Sequence, residues 1–312
     1  MVNVGYVGKS GKTGKTAENL ALSIDVGGTK LAVGRVDGQG GLLERYQCPT
    51  PQTSNGDELF TALAELIAKC APGGTFSQFS VCGVGAGGPM TPNGETISPL
   101  NIPAWRDYPL YQRLSELTGL PVAIDNDAKA LALGERWRGA ARGEDNFIGM
   151  VVSTGVGGGL ILDGRLIHGA GANAGHIGHI QVVADGRACV CGSIGCLEAE
   201  ASGTAIEAIT GRPAAEAEPA VRRRTGMLVG RAVAATVNLL DIRLATVAGS
   251  VALGFGDVFF DAAQAELDRL STIQYAQGAK IVPAQLGDSA PLIGAAAVGF
   301  SSVNPDILWS RT

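Results

Sequence analysis

LALSIDVGGTKLAVGRVD, residues 20–37, consists of two apolar runs joined by a Gly-Gly-Thr-Lys turn, with a carboxylate, Asp25, at the mouth of the first run. Apolar runs bounded by glycine predict a β-hairpin. The backbone N–H groups of Gly27 and Gly28, the Thr29 hydroxyl and the Lys30 ammonium suit a phosphate, and Asp25 suits a magnesium ion beside it. Taken alone, the turn is equally an ordinary Gly-rich hairpin. Residues 147–162 repeat the design: FIGMVV enters Ser153, Thr154, Gly155, Gly157, Gly158 and Gly159, and a second apolar run follows. Two such turns facing one another across a cleft hold a polyphosphate from both sides, and each half of the chain supplies one. The repeat points to an α/β protein with two lobes. At 312 residues the chain is long enough for both.

The segments between the hairpins carry further polar groups to strand ends. Residues 56–70 have helical apolar spacing, and residues 79–84 form a strand that breaks into GAGGPMTPNGE, placing Gly87 and Gly88 where ligands bind in α/β sheets. Trp105 is expected to pack rather than stack on a ligand. The strand at residues 120–124 delivers Asp125, Asn126 and Asp127 to the start of a helix. Asp127 there suits either a general base or a helix cap. Residues 211–224 read as a solvated connection, residues 225–240 as a helix, and residues 244–253 as a strand. Gly249 and Ser250 there again follow a strand and could line a nucleotide base and ribose. The small residues near the end, GDSAPLIGAAAVGF, suit a helix that packs closely.

Residues 175–198, GHIGHIQVVADGRACVCGSIGCLE, gather two of the three histidines and three of the six cysteines. His179, Cys189, Cys191 and Cys196 form a closed His/Cys set of the kind that holds structural zinc. A disulfide is the alternative, for which Cys-x-Cys is a poor spacing. Four protein ligands leave no open position for metal chemistry, so the metal should shape a loop. The net charge of −5 disfavours nucleic acid and anionic membranes, and scattered single thiols at Cys48, Cys70 and Cys82 suit the cytoplasm. Residues 1–18 are polar and Gly-rich with three Gly-Lys-Ser/Thr triplets, none of which completes the phosphate-loop pattern. They read, with residue 19, as a disordered tail.

The Asp-Val-Gly-Gly-Thr hairpin, the Asn-Asp pair, the Ser-Thr-Gly-x-Gly-Gly-Gly hairpin and the His/Cys cluster, in this order, resemble the ROK family of sugar kinases and repressors. The resemblance implies an actin-like ATPase (ribonuclease H-like) fold, with lobes at residues 20–125 and 126–312 and the last helix packing back on the first lobe. It implies transfer of the ATP γ-phosphoryl group to a sugar 6-hydroxyl and a homodimer. By matching positions, Asp25, Gly27, Gly28, Thr29 and Lys30 form the first phosphate motif and Thr154, Gly155, Gly157 and Gly158 the second. Asp127 takes the place of the catalytic base, and Gly88, Asn126, His176, His179 and Glu198 those of sugar contacts. The family generally has a glutamate where this chain has His176. That histidine and the text around it look like the N-acetylmannosamine kinase branch, whereas PLNIPAW resembles the glucokinase branch. ROK repressors carry a DNA-binding domain of roughly 80 residues ahead of the first motif, and the short polar segment here disfavours that class.

Overall fold

The computed structural model describes residues 19–309. Two five-stranded sheets are present among them, built to one plan. In the first, β1 (Leu20–Val26), β2 (Lys30–Asp37) and β3 (Leu42–Pro49) form an antiparallel meander, and β4 (Phe79–Ala86) and β5 (Val122–Asn126) add in parallel on the other side of β1. The strand order is β3-β2-β1-β4-β5. In the second, β6 (Phe147–Val152), β7 (Val156–Leu162) and β8 (Arg165–Leu166) form the meander, and β9 (Leu244–Ala248) and β10 (Lys280–Pro283) add in parallel beside β6. The order read from the meander end, β8-β7-β6-β9-β10, repeats the first sheet strand for strand. The Gly-rich turns occupy equivalent places, between the first and second strand of each sheet. The repeated sequence device is therefore one consequence of a repeated topology.

Helix α1 (Gly56–Cys70) buries Leu59, Leu63, Leu66 and Ile67 against the first sheet, and Asn55 caps it by accepting from Asp57 N–H. Trp105 is fully buried, stacks on Tyr108 at 4.7 Å and donates to Gly56 O, as packing requires. Helix α2 (Leu110–Thr118) precedes β5, and α3 (Asp127–Arg138) starts on the residue after β5 ends. Short helices α4 (Leu197–Ala201) and α5 (Gly203–Thr210) follow the cysteine loop and are divided at Ser202, whose hydroxyl caps α5 by accepting from Ala205 N–H. Helix α6 (Pro219–Leu240) starts earlier than the spacing predicts. Proline is accepted in a first helical turn, and three arginines follow it there: Arg224 reaches the buried Glu200, and Arg222 bonds the carbonyls of Ala215 and Ala217. The expected strand at residues 244–253 ends at Ala248, because Gly249, at φ +101°, turns the chain into α7 (Ser250–Phe255). Helix α8 (Asp257–Leu270) packs beside α6 in the core of the second sheet.

Helix α9 (Ala290–Val303) and α3 lie together between the sheets. One cluster joins Ala21, Val36 and Val81 of the first sheet, Ala130, Leu133 and Trp137 of α3, Phe147 and Ile161 of the second sheet, and Ile293, Ala296 and Phe300 of α9. The approach of α9 to β4 is close enough that a Cβ on Gly83 would lie 2.0 Å from Ala295 O. The described residues end in α10 (Asp306–Trp309). No helix among the described residues is long and apolar enough to cross a membrane. The triplets in residues 1–18 lie outside the described residues.

Candidate active site

A cleft of about 430 Å³ lies where the two Gly-rich turns meet the β5–α3 junction and the histidine segment. Gly27 and Gly28 come from the first turn and Thr154, Gly155, Gly157 and Gly158 from the second. Gly88, Asn126, Asp127, His176, His179 and Glu198 complete most of the wall. Residues from six separate stretches of the chain thus converge. Asn101 and Ser153 also line the cleft. Asn101 stands against the first turn, where a Cβ on Gly28 would lie 2.6 Å from its own Cβ. No periodic signal marks Asn101 in the sequence, since it sits in an irregular Pro-rich turn.

Asp25, Thr29, Lys30, Gly249 and Ser250 are not part of this wall. Thr29 O accepts from Thr50 N–H, and Gly27 N–H donates to Lys30 O to close the turn. Ser250 Oγ lies 3.0 Å from Ser153 Oγ, so the β9–α7 junction touches the second phosphate turn. Asp25 is half-buried at the end of β1. Burial pushes its carboxyl up to about 7, the neighbouring Asp127 carboxylate adds to the rise, and Lys30 and Arg45 oppose it. A buried carboxyl whose proton affinity is raised further by a neighbouring carboxylate suits a hard cation with oxygen ligands, such as magnesium.

Asp127 opens on the cleft. Asn126, not Asp127, is the helix N-cap, its Oδ1 accepting from Ala128 N–H at 3.0 Å. Asp127 Oδ1 accepts from the same N–H at 2.8 Å, which leaves its other oxygen for the cleft. Desolvation by the walls around it raises its carboxyl above the usual range, opposed by the backbone N–H groups of Ala128 and Asp127 and, when its ring is protonated, by His176. His176 Nδ1 lies 2.8 Å from Asn173 O. A carbonyl only accepts, so Nδ1 carries the hydrogen and Nε2 of the neutral ring is an acceptor. Glu198 accepts from Val156 N–H at 2.9 Å, joining the cysteine loop to the second phosphate turn.

The four metal-ligand candidates come together. One ligand atom from each of His179, Cys189, Cys191 and Cys196 lies within 4.8 Å of the other three. Cys191 Sγ and Cys196 Sγ are 3.7 Å apart, and Cys189 Sγ is 3.6 Å from His179 Nδ1. All three thiols are free. A tetrahedron with bonds of about 2.3 Å has edges of about 3.8 Å, so the set fits zinc and is far too open for a disulfide of about 2.05 Å. His179 also lines the cleft, and the loop is held from below by Glu200, which is buried and takes Arg187 Nη1 at 3.0 Å and the Arg224 guanidinium.

Comparisons with known proteins place the chain among sugar kinases of one family. An N-acetylmannosamine kinase from Citrobacter koseri is 35% identical over 250 residues, covering 75% of this chain and 84% of that protein. A glucokinase from Halalkalibacterium halodurans is 39% identical over 192 residues, which is 60% of this chain and 58% of that protein, so the chain spans somewhat under three fifths of its length. The structure of a ROK glucokinase from Streptomyces griseus in complex with glucose and AMPPNP aligns with a TM-score of 0.76 at 30% identity, covering 90% of this chain and 99% of that one. The actin-like ATPase fold of the ROK sugar kinases is accordingly the fold of this chain. The model described as "ROK family" matches residues 21–299, from the first residues of β1 into α9, and the chain belongs to that family.

Proposed function

We propose that the protein is an ATP-dependent sugar kinase that converts N-acetylmannosamine to N-acetylmannosamine 6-phosphate. The observation that carries this reading is the placing of Asp127, with one carboxylate oxygen free, between two Gly-rich turns and opposite His176. In it, Asp127 orients the 6-hydroxyl and takes its proton, and Asn126 and Glu198 hold other hydroxyls. The turns at residues 27–28 and 154–158 cradle the phosphates through backbone N–H groups, with Thr29 and Lys30 at the rim of the first. Gly249 and Ser250, tied to Ser153, border the nucleotide. Asp25 would hold a magnesium ion, which when bound would supply positive charge beside the transferring phosphoryl group. Lobe closure would bring hydroxyl and phosphate into line.

His176 supports N-acetylmannosamine over glucose. A glutamate accepts from two hydroxyls, whereas this imidazole presents a single acceptor, Nε2, at the cleft, which suits an acetamido N–H or one hydroxyl. ADP release over N-acetylmannosamine, glucose, N-acetylglucosamine, mannose and fructose should show the highest kcat/KM with N-acetylmannosamine. A clear preference for glucose, the sugar named for the relatives described as glucokinases, overturns the substrate assignment. The His176→Glu variant should move the kcat/KM ratio toward glucose by at least about tenfold, ~1.4 kcal/mol. An unchanged ratio removes His176 from the selectivity argument.

Zinc at His179, Cys189, Cys191 and Cys196 is structural in this proposal: it fixes the loop that carries His179 and Glu198. Elemental analysis of the purified protein should give about one zinc per chain, falling to a small fraction in Cys196→Ser. The same variant should raise the sugar KM at least about tenfold and leave the ATP KM within about twofold. A full-length protein free of zinc with normal sugar affinity would contradict the assignment.

A further inference from the structure

The residues assigned so far line the cleft or border it. Lys129 does neither, yet it is fully buried two residues beyond Asp127. A buried ammonium has a large desolvation penalty and is tolerated only when well paired. Its Nζ donates to Ala172 O at 2.7 Å and stands 3.3 Å from Asp125 Oδ1. Asp125 is itself buried, and its Oδ1 accepts from Asn126 N–H at 2.8 Å while its Oδ2 lies 3.4 Å from His168 Nδ1.

Ala172 belongs to the segment between β8 and the turn Ile177–His179. That segment doubles back three times through left-handed conformations, at Gly169 (φ +76°), Ala172 (φ +60°) and Gly175 (φ +98°). Ala172 is the one of the three with a side chain, so its conformation is strained and must be held by its surroundings. Gly175 is clamped separately, since a Cβ there would lie 2.4 Å from Gly158 O. The next residue after Ala172, Asn173, supplies the carbonyl that binds His176 Nδ1. One chain of contacts therefore runs from the strand end that carries Asn126 and Asp127, through Asp125 and Lys129, to the backbone that fixes the ring of His176.

We infer that Lys129 is a positioning residue, whose ammonium pins residues 168–174 to the β5–α3 junction so that His176 keeps its place and tautomer opposite Asp127. The effect on sugar rests on the kinase reading above, whereas the effect on the segment does not. Lys129→Met alone leaves Asp125 buried without its partner and can fail through folding. The double variant Asp125→Asn/Lys129→Met removes both charges, and the new amide oxygen still accepts from Asn126 N–H. It should fold cooperatively, with hydrogen exchange in residues 168–176 faster by about tenfold or more than in the wild-type protein. Its sugar KM should rise about tenfold while its ATP KM stays within about twofold. Unchanged exchange in that segment overturns the inference, as does a parallel rise of both KM values. Faster exchange in a protein whose wild type phosphorylates no sugar would support the clamp and sink the kinase reading instead.

Discussion

Asp127→Asn should lower kcat by about 10³-fold and leave ATP binding within about twofold of the wild-type value. The substitution isolates chemistry from folding because α3 already has its cap: Asn126 Oδ1 accepts from Ala128 N–H, and the new amide oxygen can accept from it as Asp127 Oδ1 does. What is lost is an ionised oxygen facing the cleft. A proton acceptor whose carboxyl is raised by burial is also a stronger base than an ordinary aspartate, so the loss reaches the transition state rather than the ground state. Steady-state kinetics with a nucleotide-binding titration separates the two. The wild-type protein should lose kcat/KM on the acid side as Asp127 and Asp25 take up protons, and the Asp127→Asn variant should lack the part of that limb due to Asp127. Turnover near the wild-type rate in Asp127→Asn removes Asp127 from the role of base.

The choice between cap and base at Asp127 shows where sequence reading ends. Asn126 and Asp127 occupy neighbouring positions at one strand-to-helix junction, and spacing cannot say which side chain turns back on the helix. The two hairpins were legible because each combines strand-like apolar runs with a glycine turn, and their equivalent places follow from the repeated sheet order. The cysteine cluster was legible because ligand type and spacing are both specific. Asn101 was not, since it enters the cleft through its fit against Gly28, a contact between distant segments. Arg224 was hidden inside a charged run that looks solvated and in fact reaches buried Glu200. Lys129 was hidden in the opposite way. In a helix with one wet face a lone lysine turns outward, but α3 is buried from Ala128 to Trp137 between two sheets and α9, so no such face exists there. The strand expected through Ser250 failed for a backbone reason, the positive φ of Gly249 inside a continuous apolar run.

Asp25→Asn should have two opposed effects, a fall in turnover of at least about 10²-fold and a gain in stability of the free protein above pH 7 of ~2 kcal/mol. The stability effect follows from linkage. Unfolded, the Asp25 carboxyl has its ordinary value near 3.8, and in the folded protein burial and Asp127 lift it to about 7. Between those values the folded state binds the extra proton, so stability declines as pH rises through the window and the penalty is complete above it. An amide carries no such penalty. Melting curves should therefore show Asp25→Asn above wild type at pH 8 and the two converging near pH 4. Magnesium with ATP should narrow the gap at pH 8 by stabilising the wild-type protein, whose ionised Asp25 can hold the cation, and should act less on the variant. A variant that is no more stable at pH 8 than at pH 4, relative to wild type, would show that Asp25 is not held at a cost in the resting cleft. Its loss of turnover would then reflect only a missing ligand, and the carboxyl pair would have no stored repulsion for the cation to relieve.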